Sequence, residues 1–180
     1  MMERREGVSK TITIVFLIMF LFTFIQFVSP LLIQEGTITD LDGSVGIIDN
    51  SEIIDSLSFP LNIPYFLGDL LCHQKLERSF DLNGNQMPFC SRCTAIWVGL
   101  VIGLAIMLVY TIELNERFMT IIIISLIPIA IDGTGQLLGF WESTNFSRVI
   151  TGLIIGIPMG CAIGIIIDEL KFLLKLKTCH

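Results

Sequence analysis

Four long apolar runs constrain this chain more than any other feature. They fall at 11–33, 94–112, 118–140 and 149–167, each about 20 residues long and nearly free of charge. At roughly 1.5 Å of rise per residue, such a run matches the ~30 Å hydrocarbon core of a bilayer. The chain is 53% hydrophobic with a mean hydropathy of +0.78, more apolar surface than a soluble domain of 180 residues can hide. The expected fold class is therefore all-α integral membrane. Four transmembrane helices form a single membrane domain over 1–180, with a short re-entrant or interfacial helix at 57–71 and an irregular Cys/His loop at 72–93.

The first run follows Arg4, Arg5 and Lys10, as a signal peptide would. Its apolar core exceeds the ~7–15 residues of a signal h-region and no small-residue cleavage site follows Pro30, so a retained helix is expected. Segment 57–71 is apolar but carries Pro60, Pro64 and Asp69 and is too short to span. The loop at 34–56 holds Glu35, Asp40, Asp42, Asp49, Glu52 and Asp55 without one Lys or Arg, with Gly-Ser and Asp-Gly turns and room for short strands. This loop carries much of the net charge of −6, which argues against a nucleic-acid partner. Membrane lipids are the expected surroundings.

With four spans both termini share one side, and the multi-pass chain has cytoplasmic N- and C-termini. That side then carries seven of the eleven Lys and Arg. A fifth span at 57–71 would give the same seven-to-four split, so the prolines decide the count, not the charges. In either topology the 94 end of the second helix, the 140 end of the third and the 149 end of the fourth share one membrane face. Trp97 and Trp141 fall at that level, where interfacial aromatics belong.

Glycines recur every fourth residue at 152, 156, 160 and 164, and Ala95, Gly99 and Gly103 repeat the interval in the second helix. Such stripes let helix backbones approach closely in a solvent that gives no hydrophobic drive. They predict a tight helix interface, within the chain or with a second copy or partner subunit.

Chemistry concentrates in two blocks. The first is Cys72-His73 followed by Cys90-Ser91-Arg92-Cys93. A C-x-x-C turn chelates one ion with two thiolates and a second pair completes the tetrahedron that zinc prefers, so Cys72, His73, Cys90 and Cys93 are the candidate ligands. Adjacent ligands diverge, which makes His73 the weaker one; three ligands would leave an open position, as in catalytic zinc sites. Two alternatives stay open: a structural zinc knot, and a dithiol at Cys90 and Cys93 with Cys72 as exchanging thiol. The deaminase signature H-x-E…P-C-x-x-C is not met, because Pro88 is one residue too far and Lys75 replaces the glutamate. Cys161 lies mid-helix and reads as packing; Cys179 and His180 receive no role.

The second block is Asp132, Gly133, Gln136 and Gly139, then Glu142, Ser143, Asn145 and Arg148. Asp132 and Gln136 share a helix face, about 12 Å from the helix end for Asp132. A carboxylate at that depth costs about 2.5–3.5 kcal/mol and needs a partner, with Arg78, Arg92 and Arg148 available on the same side. It is either a buried ion pair that fixes packing or part of a pocket. In the pocket reading Asp132 or Glu142 accepts a proton, Gln136, Asn145 and Arg148 complete the catalytic set, and Arg78, Arg92 and Ser143 bind an anionic substrate.

Cys72-His73-Gln74, Arg78-Ser79-Phe80, Gly84, Pro88, Cys90-x-Arg92-Cys93-Thr94 and Gly99 resemble the first signature of an uncharacterised prokaryotic membrane family, domain of unknown function 2085. Asp132-Gly133-x-x-Gln136-x-x-Gly139, Ser143-x-Asn145-x-x-Arg148 and Thr151-Gly152 resemble its second. The resemblance covers about 68–156; this chain has Ala95 and Trp97 where relatives carry glycine and tyrosine. It implies a polytopic membrane protein and brings no assigned activity. Three functions are expected: a zinc-dependent hydrolase or transferase on a lipid-linked or anionic substrate, a membrane thiol–disulfide oxidoreductase, or a non-enzymatic subunit with a zinc knot.

Overall fold

A computed structural model describes residues 2–5, 7 and 9–178; Cys179 and His180 lie outside them. Four helices are long and apolar enough to cross a membrane: α1 (Lys10–Leu32), α4 (Ser91–Val109), α5 (Glu116–Leu137) and α6 (Asn145–Thr178). Two short helices, α2 (Ser51–Ser56) and α3 (Asn62–Leu71), lie between α1 and α4. The chain is thus an all-α membrane protein with minor β structure. α3 has 10 residues and starts after a cis Phe59–Pro60 bond, well short of a span.

Three expectations need correction. The loop at 72–93 is not irregular: a 3-10 turn (Leu76–Arg78) leads into a hairpin of β2 (Ser79–Leu82) and β3 (Asn85–Cys90). The sequence signal for it is Asn83-Gly84, which take φ of 59° and 67°, the left-handed pair a tight hairpin turn requires. The acidic loop forms α2 rather than strands. The second apolar run ends in β4 (Tyr110–Ile112), which pairs antiparallel with β1 (Met2–Arg4) instead of continuing as helix.

Both glycine stripes are used, and on each other. Gly99 packs on Gly156 and Gly103 on Gly160, so α4 and α6 meet backbone to backbone. A Cβ on Gly156 would stand 2.6 Å from Ile96 O, and one on Gly99 2.7 Å from Gly156 Cα. The close approach that the stripes predict is therefore met within one chain. Below it, Ile12, Leu104, Met107, Phe118, Cys161 and Ile165 form a buried cluster, which gives Cys161 its packing role. Arg5 donates to Asp168 on α6 and to the carbonyl of Met107, placing the N-terminal segment and the late part of α6 at one end of the bundle.

The other end carries the extramembrane layer. Asn85 Nδ2 donates to the carbonyls of Pro30 (3.0 Å) and Gln34 (3.1 Å), satisfying the end of α1, while its Oδ1 accepts from Ile38 N. Asp69, fully buried on α3, accepts from the backbone N–H (3.0 Å) and side-chain amide (2.6 Å) of Asn50 and so ties α3 to the acidic loop. Tyr65 donates to Gln86 O at 2.9 Å, and burial pushes its phenol upward in pKa. Trp97, half-buried on α4, packs at 4.7 Å from Phe22 and 6.2 Å from Phe89 of β3.

Candidate metal centre

Cys72 ends α3 and Cys90 ends β3, and α4 begins at the next residue. Cys90 is the N-cap of α4 and Cys93 lies on its first turn, one helical turn on, so both thiols point to one side. The hairpin register, Ser79 opposite Cys90, holds the strand beside α3. There Gly68 abuts Pro88 with no room for a Cβ. The Sγ atoms of Cys72, Cys90 and Cys93 all lie within 4.8 Å of one another. Three thiolates on one zinc at about 2.3 Å would stand roughly 3.8 Å apart, so the cluster fits an ion with little movement.

Gln74 decides which way the loop faces. Its φ of 47° is left-handed, and the cost is offset by a buried amide that donates to Pro88 O at 2.8 Å. The kink turns Gln74 inward and leaves His73 exposed. His73 reaches the pocket wall but is not among the three clustered ligands. Gln74, Asn85 and Gln86 are buried amides that shape the site and were not singled out as functional. Their polar character inside a loop flanked by apolar helices was the available signal.

Cys72 Sγ accepts from the backbone N–H of Cys90 at 3.4 Å, and Cys90 and Cys93 are also 3.4 Å apart at sulfur. Hydrogen bonds from Cys72 and Cys93, then backbone N–H groups at the start of α4, hold the Cys90 thiol far below its usual pKa. Cys72, whose S–H donates to the Cys90 sulfur, is raised. Negative charge is thus favoured at one sulfur, that of Cys90.

A pocket of about 500 Å³ opens over this cluster. All three cysteines line it, as do Lys75, Arg78, Arg92 and Arg148. Gln136 and Gly133 of α5 form another wall. The two separated polar blocks thus meet at one end of the bundle: Arg92 of α4 pairs with Asp132 of α5, and Ser91 donates to Asn145 of α6 at 2.9 Å.

Asp132 is committed to its neighbours. Arg92 and Ser143 (2.8 Å) both donate to its Oδ2. It lies five residues from the end of α5, about 8 Å deep instead of the expected 12 Å. Arg148, 4% exposed, donates to Asn145 Oδ1 at 3.0 Å and to Glu77 O, and has no carboxylate partner among the described residues. Arg78 stands 3.5 Å from an exposed Glu77, and its buried Nε–H makes no hydrogen bond. Glu142 is exposed and lies off the pocket wall. Trp141, next to it, covers Gly135 so closely that no side chain fits there, which fixes the turn leading to Ser143 and Asn145.

The chain spans about 60% of the uncharacterized protein MJ1492 of Methanocaldococcus jannaschii, to which it is 42% identical over 97 residues, 51% of its own length. An uncharacterized protein of Methanothermobacter thermautotrophicus is 34% identical over 104 residues, 58% of this chain and 90% of that one. No solved structure matches the chain. The family model described as predicted membrane protein, domain of unknown function 2085, matches residues 72–162, from the first cysteine of the cluster to the middle of α6, and the chain belongs to that family.

Proposed function

We propose that this protein is a membrane metalloprotein in which Cys72, Cys90 and Cys93 hold a zinc ion beside an anion-binding pocket. The observation that supports this is the convergence of three sulfurs within 4.8 Å on the floor of a pocket walled by four cations. A structural knot would close its fourth position with protein. Here no fourth Cys, His or carboxylate joins the group among the described residues, and the open side faces the pocket. An ion held by these three cysteines would supply Lewis-acid chemistry, which suits metal-assisted hydrolysis or transfer on a lipid-linked or anionic substrate. Arg78 and Arg148 bind that substrate, with Ser143 and Asn145 holding their surroundings. Asp132 positions Arg92 through its Oδ2, to which Arg92 and Ser143 both donate. With four spans, the seven-to-four charge split favours cytoplasmic termini, and the site then lies on the opposite face.

The test is elemental analysis of purified protein, wild type against Cys90→Ser. One equivalent of zinc in the wild type and a loss of most of it in the variant are expected; metal-free wild type with three alkylatable thiols at the site would sink the proposal. The 3.4 Å sulfur separation of Cys90 and Cys93 equally suits thiol exchange. A mixed disulfide trapped at either residue would favour that second reading.

A further inference from the structure

Charge is out of balance around the pocket. Lys75, Arg78, Arg92 and Arg148 line it; Asp132 pairs with Arg92, and the exposed Glu77 stands 3.5 Å from Arg78 Nε. Three thiolates around a divalent ion would contribute one net negative charge, which leaves one positive charge without a counter-ion. Arg148, which no carboxylate among the described residues meets, is almost fully out of water. An uncompensated guanidinium at such a site is costly unless a ligand completes it. The buried Nε–H of Arg78, 3.5 Å from the exposed Glu77 carboxylate but without a hydrogen bond, is a second donor at the same wall.

The missing charge is at least −1, and the guanidiniums at the wall call for several acceptor oxygens on one ligand. A carboxylate or a sulfate ester brings one negative charge, whereas a phosphate monoester carries roughly −1.5 to −2 at neutral pH with three acceptor oxygens. Guanidinium forks match those oxygens in pairs. The volume of about 500 Å³ exceeds a bare phosphate and leaves space for what the phosphate is attached to. The rest of the wall says what that is: Val45, Leu71 and Leu137 line the same pocket, are apolar, and are 52%, 50% and 84% exposed. Leu137 is the last residue of a membrane-spanning helix, so this apolar lip stands where acyl chains begin.

We infer that the pocket binds the terminal phosphate of a membrane lipid, gripped by Arg78 and Arg148 with its hydrocarbon leaving over Val45, Leu71 and Leu137. The inference rests on the anion-pocket reading above and names its ligand class; it does not require that the metal be zinc.

The full-length protein in neutral detergent is tested by thermal unfolding with phosphatidic acid, phosphatidylcholine, inorganic phosphate and sodium chloride at matched ionic strength, with metal content measured on the same samples. Phosphatidic acid should stabilise the protein at concentrations at least about tenfold lower than inorganic phosphate, and phosphatidylcholine should not. Arg78→Gln should weaken that effect about tenfold, the loss of one charge-assisted hydrogen bond. Arg148→Gln should weaken it more, and if that variant does not fold, Arg78→Gln alone carries the result, since the Glu77 beside Arg78 is exposed. Equal shifts from phosphatidic acid and phosphatidylcholine, or an Arg78→Gln variant that responds like wild type, would overturn the inference. Inorganic phosphate binding as tightly as phosphatidic acid would overturn its lipid part. Zinc present without a phosphate response refutes this inference alone; a phosphate response without bound metal refutes only the metal reading.

Discussion

Replacing Asp132 by asparagine should destabilise the protein by about 2–3 kcal/mol. The new amide keeps an acceptor for Ser143 but deletes the one carboxylate that faces Arg92, leaving that guanidinium beside Arg78 and Arg148. Breaking a fully buried pair from one side costs about 3–5 kcal/mol, because the survivor stays desolvated and unpaired. Here the side chains of Arg92 and Asp132 are 20% and 11% exposed, so water screens part of the loss and the lower figure applies. Removing both partners, as Arg92→Met with Asp132→Leu, deletes the stranded charge and should recover most of the stability. The assay is a double-mutant cycle by unfolding in mixed micelles with tryptophan fluorescence as signal. A coupling energy below about 0.5 kcal/mol would refute the account of Asp132 as the anchor of Arg92.

Other perturbations separate the remaining parts. Gly156→Ala should cost about 1–2 kcal/mol: its Cβ meets Ile96 O at 2.6 Å, and this overpacking outweighs the ~1 kcal/mol that alanine gains in a helix. Gly133→Ala, whose Cβ meets nothing nearer than Arg92 Nη1 at 3.9 Å, should be neutral or stabilising in the same unfolding assay. Asn85→Ala strips the end of α1 of its donor and leaves Ile38 N–H buried and unbonded; a loss of about 2–3 kcal/mol and faster proteolysis in the hairpin are expected. His73→Ala should leave metal stoichiometry unchanged by elemental analysis, since the three sulfurs converge without it.

The membrane helices were legible because bilayer thickness imposes a length and composition that no loop satisfies by accident. The meeting of the Cys90–Cys93 turn with Asp132 and Arg148 followed from counting crossings, which needs no side-chain detail. The hairpin within residues 72–93 was not legible, although Asn83-Gly84 announces a tight turn, because β2 and β3 lack the alternation that marks a strand: β3 is buried at five positions in a row. The inward turn of Gln74 depends on Pro88 and Gln86 across the hairpin, contacts with no trace in the spacing of His73. The fate of the glycine stripes was likewise open, since an interval of four residues marks a close approach without naming the helix that approaches.

The backbone contact of α4 with α6 has a consequence for how the pocket admits anything. Two helices meshed glycine on glycine cannot slide or part without losing their fit along several turns, so Arg92, Cys93 and Arg148 travel as one rigid jaw. Adjustment is left to α5, which buries only Phe118, Ser125, Asp132 and Gly135. Any widening of the pocket for a bulky guest would thus fall to α5, and it would strain the contact between Arg92 and Asp132.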